Sequence, residues 1–112
     1  MKALKSFSLA AVSTLIAMVP TTAYAQQAPG MNWSWQSTNL SQRQCMIRAE
    51  DAMRNGGFSR NFSAVGESTF GVRGAYRGAI RCITSQGLVV FMVSGPSSDT
   101  SGEYRQRLED NF

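Results

Sequence analysis

The chain has 112 residues, with 11 lysines and arginines against 7 acids and no histidine. Without histidine, no imidazole is present to activate a cysteine nucleophile or to help bind zinc. We therefore expect no enzyme, no metal site and no cofactor.

The first 25 residues have the three-part pattern of a secretory signal peptide. Lys2 and Lys5 precede a mostly apolar, uncharged run of 13 residues, 7–19, and Ala23-Tyr24-Ala25 has the small-x-small form that precedes cleavage. A membrane anchor is the alternative, but a spanning helix needs about 20 apolar residues. We expect cleavage after Ala25 and no anchor in the mature protein. The expected compartment is the periplasm, with full secretion as the alternative.

Cleavage would change the charge of the chain. The mature protein, 87 residues long, loses both lysines and keeps nine arginines against seven acids, for a net charge of +2. Nucleic-acid binding usually needs a clustered basic footprint, so this charge predicts no nucleic-acid partner.

The two cysteines, Cys45 and Cys82, are expected to form a disulfide in an exported chain. In the chain-entropy description, closing this loop contributes about 3–4 kcal/mol to stability. The alternative is a pair of free, buried thiols that pack as small apolar side chains.

The expected domain occupies residues 40–112, after an irregular lead-in over residues 26–39. Its first helix is predicted over residues 42–55, because Ser41 and Gln44 fit a capping box. Gly56 and Gly57 then favour termination of the helix.

Strand patterns follow over residues 61–72, 75–83 and 88–93. A polar loop over residues 97–102 precedes a second helix over residues 103–110, with Tyr104, Leu108 and Phe112 on one apolar stripe. The order predicts a two-layer α+β domain, in which both helices cover one face of a three-stranded antiparallel meander.

The third predicted strand is apolar on both faces and lies at an edge of the expected meander. Exposed edges and apolar patches favour association. The lead-in, with Trp33 and Trp35, either folds over the second face or leaves it open to a partner or a second copy. The candidate interface comprises Val89, Phe91, Val93, Trp33 and Trp35.

A candidate anion-binding site is formed by Arg73, Arg77 and Arg81. Arg77 and Arg81 share a face of the second predicted strand, whereas Arg73 is expected in a turn. Arginine binds carboxylate and phosphate through a planar fork. The alternative is a solvated surface with a pair to Glu67. The tryptophans either fill a small core or stack on envelope sugars.

These patterns favour a non-enzymatic envelope protein that binds a protein or itself through the third strand. The alternative function is a small module for an anionic envelope ligand, a glycan or a lipid head group, bound through the arginines.

Several short segments carry a family resemblance. They are Cys45, Asn61-Phe62-Ser63-Ala64-Val65-Gly66, Ile80-Arg81-Cys82, Val93-Ser94-Gly95-Pro96 and Asp110-Asn111-Phe112. With them the chain resembles a family of small exported bacterial proteins of unknown function, over about residues 40–112. The resemblance implies export, one domain and the disulfide, and it implies no activity.

Overall fold

A computed structural model describes residues 28–112. The predicted signal peptide, residues 1–25, lies outside this range. The described elements are β1 (Gly30–Ser37), α1 (Gln42–Asn55), β2 (Arg60–Val65), β3 (Ser68–Arg73), β4 (Tyr76–Ile83), β5 (Leu88–Gly95) and α2 (Ser98–Asn111). They form an α+β domain, as predicted, with one antiparallel sheet and both helices on one face.

The sheet has five strands in the order β1-β5-β4-β3-β2, so the prediction of three strands is wrong. The single strand predicted over residues 61–72 is two strands, β2 and β3. They are joined at Gly66, which has a φ of 60°, and Val65 pairs with Ser68 across the turn. Glycine at the first central position is typical of a two-residue hairpin of type II′. Gly66 therefore reverses a segment whose composition alone favours one continuous strand.

The lead-in is also regular, contrary to prediction. β1 pairs antiparallel with β5 along its whole length, from Gly30 opposite Gly95 to Ser37 opposite Leu88. Two side-chain contacts hold it to α2: Arg105 donates to Asn32 at 2.9 Å, and Ser34 donates to Glu109 at 2.7 Å. The third predicted strand, β5, is therefore an interior strand and not an edge.

Both helices are capped by serine. α1 has the predicted bounds, and Ser41 and Gln44 form the predicted capping box. α2 begins within the segment that was predicted as a polar loop, because Ser97 accepts a hydrogen bond from the Thr100 backbone and caps the helix there.

The disulfide between Cys45 and Cys82 is present, with the two Cα atoms 6.0 Å apart. It links the first turn of α1 to β4, the central strand. Both cysteines are fully buried. The cross-link therefore joins the helical layer to the sheet in the interior of the domain.

A pair of glycines makes room for Phe58, a large side chain of the core. Gly71 and Gly78 lie opposite each other on β3 and β4. A Cβ on Gly78 would lie 2.8 Å from the Phe58 ring, and one on Gly71 would overlap the Phe58 backbone carbonyl. Phe58 is fully buried against this gap. These glycines are required by close packing.

Candidate binding surface

The face of the sheet opposite the helices is the open face. It is defined here by the following side chains: Met31, Trp33 and Trp35 on β1, Val90 and Met92 on β5, Arg77, Ala79 and Arg81 on β4, and Phe70 on β3. Their shared orientation follows from the register, because directly opposed residues of an antiparallel pair point to the same side. One row across the sheet runs Trp33, Met92, Ala79 and Phe70.

The tryptophans lie side by side in solvent on this face. Trp33 is 61% exposed and Trp35 is 58% exposed, and Met31 beside them is 64% exposed. The interpretation that the tryptophans fill a small core is therefore wrong. The lead-in does not fold over the second face either, because β1 extends the sheet sideways. Trp33 and Trp35 are the only two tryptophans of the chain.

The two faces of β5 have opposite environments. Val89, Phe91 and Val93 are at most 1% exposed and belong to the core beneath the helices. The three residues of this strand that were predicted as an interface thus lie on its inner face, where a partner cannot reach them in the folded domain. Val90 and Met92 lie on the open face instead and are partly exposed. An interface on β5 that leaves the core intact has to use these two residues.

Arg77 and Arg81 lie on the open face, on either side of Ala79, as their shared strand face predicted. Arg81 donates to Glu67 at 3.1 Å, and both side chains are about half exposed, so this predicted pair is confirmed. Arg77 forms no ion pair with a carboxylate among residues 28–112. Arg77 is consequently a positive charge on the open face that no carboxylate of the described part of the chain neutralises.

Arg73 is separated from the other two arginines. It is the last residue of β3, and its guanidinium lies on the helical side of the sheet, where it donates to the Gly56 carbonyl at 3.0 Å. The guanidinium carbon lies 4.1 Å from the centre of the Tyr104 ring. Both contacts hold the end of α1 and α2 against the sheet. The three arginines therefore do not form a single site.

A shallow depression lies on the open face beside Arg77. Its volume is about 140 Å³, and its lining includes Met31, Phe70, Ala79, Met92 and Ser94. Pockets for small-molecule ligands usually measure about 300–1,000 Å³. The depression therefore has the size for one apolar side chain or one small anionic group, rather than for a whole cofactor.

Two further features are absent from residues 28–112. No group of three or more histidine, cysteine or acidic side chains could hold a metal ion there. Neither α-helix of this range has the length and apolar composition of a membrane-spanning segment.

Comparison of the chain with protein-family models, with curated proteins and with solved structures finds no match in any of the three. The family resemblance stays a prediction. The disulfide is typical of proteins from oxidising compartments outside the cytoplasm.

Sequence reasoning missed Met31, Phe70, Val90 and Met92 as members of the open face. The signal that would have found the last two is the pairing between β4 and β5. Cys82 faces the helices and lies opposite Val89. Odd-numbered residues of β5 therefore face the core and even-numbered ones the open side, but this assignment requires the register.

Proposed function

We propose that this protein is a non-enzymatic envelope protein, exported to the periplasm, that binds a partner protein through the open face. The observation that carries the proposal is the exposure of Met31, Trp33 and Trp35 side by side. Tryptophan and methionine are enriched in protein interfaces, and a contiguous apolar patch on a folded domain marks an interaction surface.

The positive charge of Arg77 on this face indicates which kind of partner segment is complementary to it. Arg77 is exposed beside Met92 and Phe70, without a carboxylate partner in residues 28–112. A partner segment that places a carboxylate on Arg77 and apolar side chains on the tryptophans and Met92 is complementary in charge and polarity. The expected partner is therefore a protein segment that carries both an acidic side chain and apolar side chains.

Photocrosslinking in the native host tests this proposal. A photoreactive phenylalanine analogue replaces Met92 on the open face, and in a matched control it replaces Ile47, which is 48% exposed on α1. We expect a protein adduct of one defined mass from position 92 and none from position 47. Arg77→Glu in the same chain should reduce the yield of that adduct about tenfold or more, because it sets like charges against each other.

Equal adduct yields from positions 92 and 47 would refute the open face as the binding surface. An adduct that is unaffected by Arg77→Glu would refute the acidic character of the partner.

A second function is favoured by the same arginine. Arg77 lines the depression, and Arg81 lies four residues further along β4 on the same face. A phosphate or carboxylate of an envelope glycan or lipid head group fits a guanidinium in this position. In the crosslinking experiment this alternative gives a lipid or glycan adduct in place of a protein. Its binding also weakens steeply with salt, since exposed charges are screened within about 10 Å at 0.1 M.

A further inference from the structure

The outer edge of β1 is a second exposed feature of the sheet. β1 is the last strand on its side, and in residues 28–112 no strand pairs with its outer edge. It pairs with β5 without a register shift. In an antiparallel pair, alternate residues direct their N–H and C=O groups away from the partner strand. The outer edge of β1 therefore presents a regular row of unpaired backbone groups.

The two edge strands of the sheet differ in their protection. β2, at the opposite edge, contains Arg60, a register shift between Arg60 and Ser63, and Asn61 with a φ of 50°. Charged residues and irregular backbone are common ways to prevent edge pairing. β1 has the sequence Gly-Met-Asn-Trp-Ser-Trp-Gln-Ser, with no charge and no proline. Of the two edges, β1 is the one suited to pairing.

We propose that β1 pairs with β1 of a second copy of this chain, antiparallel about a twofold axis near Ser34. The two sheets then form one continuous sheet of ten strands. This inference goes beyond the proposed function and does not depend on it, because the dimer uses the edge strand β1 and the rest of the open face, with Arg77 and Met92, stays available to the partner protein.

The side chains of β1 are self-complementary in this register. Trp33 and Trp35 are equally far from Ser34, so each Trp33 lies opposite Trp35 of the second copy. Aromatic cross-strand pairs are among the most favourable in antiparallel sheets. Since β1 is uncharged, the twofold axis brings no like charges together within the strand pair.

The helices leave room for this pairing. α2 contacts both β1 and β5, and a helix axis midway between these two strands would lie about half a strand spacing inside the edge. Neighbouring strands are about 4.8 Å apart. The two copies of α2 would then lie about two strand spacings apart, at roughly 10 Å, which is within the usual range for packed helices.

Charge argues against the other symmetric arrangement, in which two open faces stack. β4 is the central strand, and Ala79 lies near the centre of the sheet between Arg77 and Arg81. Stacking two sheets about this point would bury the Arg77 guanidinium groups of both copies, which no carboxylate of residues 28–112 neutralises, beside the two Arg81–Glu67 pairs. Burying like charges is costly, so the second copy is assigned to the edge.

Sedimentation of the exported protein over a range of concentrations up to about 1 mM, the weak end of specific association, tests the dimer. We expect the sedimenting mass to rise from that of the monomer to that of the dimer as the protein concentration increases. The double variant Trp33→Lys/Trp35→Lys should stay monomeric, because lysines of the two copies then face each other. Ile47→Lys and Met92→Lys, which each add one lysine outside the edge, should still form dimers.

A measurement without substitutions accompanies these variants. Hydrogen exchange of the wild-type protein is followed at concentrations below and above the dissociation constant, and the amides of β1 should exchange more slowly in the dimer while those of β2 stay unchanged. A monomer at every concentration would overturn the proposal. Dissociation of Met92→Lys to the same extent as the double variant would also overturn it, since that result places the interface on the open face.

Discussion

Phe91→Ala should lower the free energy of unfolding by about 3–5 kcal/mol, the usual cost of truncating a buried phenylalanine. Phe91 is fully buried, and its ring packs edge-on against Phe112, with the ring centres 5.5 Å apart. Alanine leaves a cavity between β5 and the end of α2. A single domain is usually stable by only about 5–15 kcal/mol, so this loss is a large part of the total. Denaturant unfolding of the oxidised protein measures it.

Met92→Ala is the matched control, one position along the same strand. Met92 is partly exposed on the open face, so its truncation should cost about 1 kcal/mol or less. The neighbouring positions thus separate stability from binding. If Phe91→Ala and Met92→Ala were equally destabilising, the assignment of the two faces of β5 would be wrong. Loss of partner binding by a Phe91 variant would report unfolding, and only loss by a folded Met92 variant would report the interface.

Removal of the disulfide in Cys45→Ala/Cys82→Ala should lower stability by about 3–4 kcal/mol. The cysteines are 37 residues apart in sequence, and closing a loop of that length restricts the unfolded chain by this amount in the chain-entropy description. Both side chains are buried, so alanine avoids placing a hydroxyl in the core. Thermal or denaturant unfolding, compared with the oxidised wild type, gives the difference.

Reduction of the wild-type protein provides the control for this variant. A thiol reductant should destabilise the wild type by a similar amount and leave the alanine variant unchanged. A wild-type protein whose unfolding is insensitive to complete reduction would contradict the stabilising role of the cross-link.

The local signals in the sequence predicted much of this fold, but they did not predict which strands pair with each other over long distances in the chain. The capping box at Ser41 and the glycines at 56 and 57 defined α1 because they act within one helical turn. The alternation along β4 predicted the shared orientation of Arg77 and Arg81, because alternation depends only on the neighbouring residues of one strand. β1 was missed although Met31, Trp33 and Trp35 alternate with polar residues, because Pro29, Gly30 and those polar residues favour an irregular segment. Of those polar side chains, Asn32 accepts a hydrogen bond from Arg105 and Ser34 donates one to Glu109 on α2.

The location of the candidate site depended on the strand register, which the sequence does not specify. A strand with apolar residues on both faces does not show which face is inside. On β5 the register with β4, and the link from Cys82 to α1, place Val89 inside and Met92 outside. The exposure of the tryptophans likewise follows from the sideways pairing of β1, which no residue type in that segment specifies.

The most direct test of the open face as a binding surface is oxidative footprinting of the protein in the intact host envelope and after purification as a folded monomer. Hydroxyl radicals convert accessible methionine to the sulfoxide, and mass spectrometry compares Met92 and Met31 on the open face with Met46 on α1. We predict that Met92 and Met31 are protected in the envelope relative to the purified monomer, with Met46 equally oxidised in both. Met92 decides the result, because pairing at the β1 edge leaves it uncovered. Equal oxidation of Met92 in the envelope and in the purified monomer would contradict the proposed function.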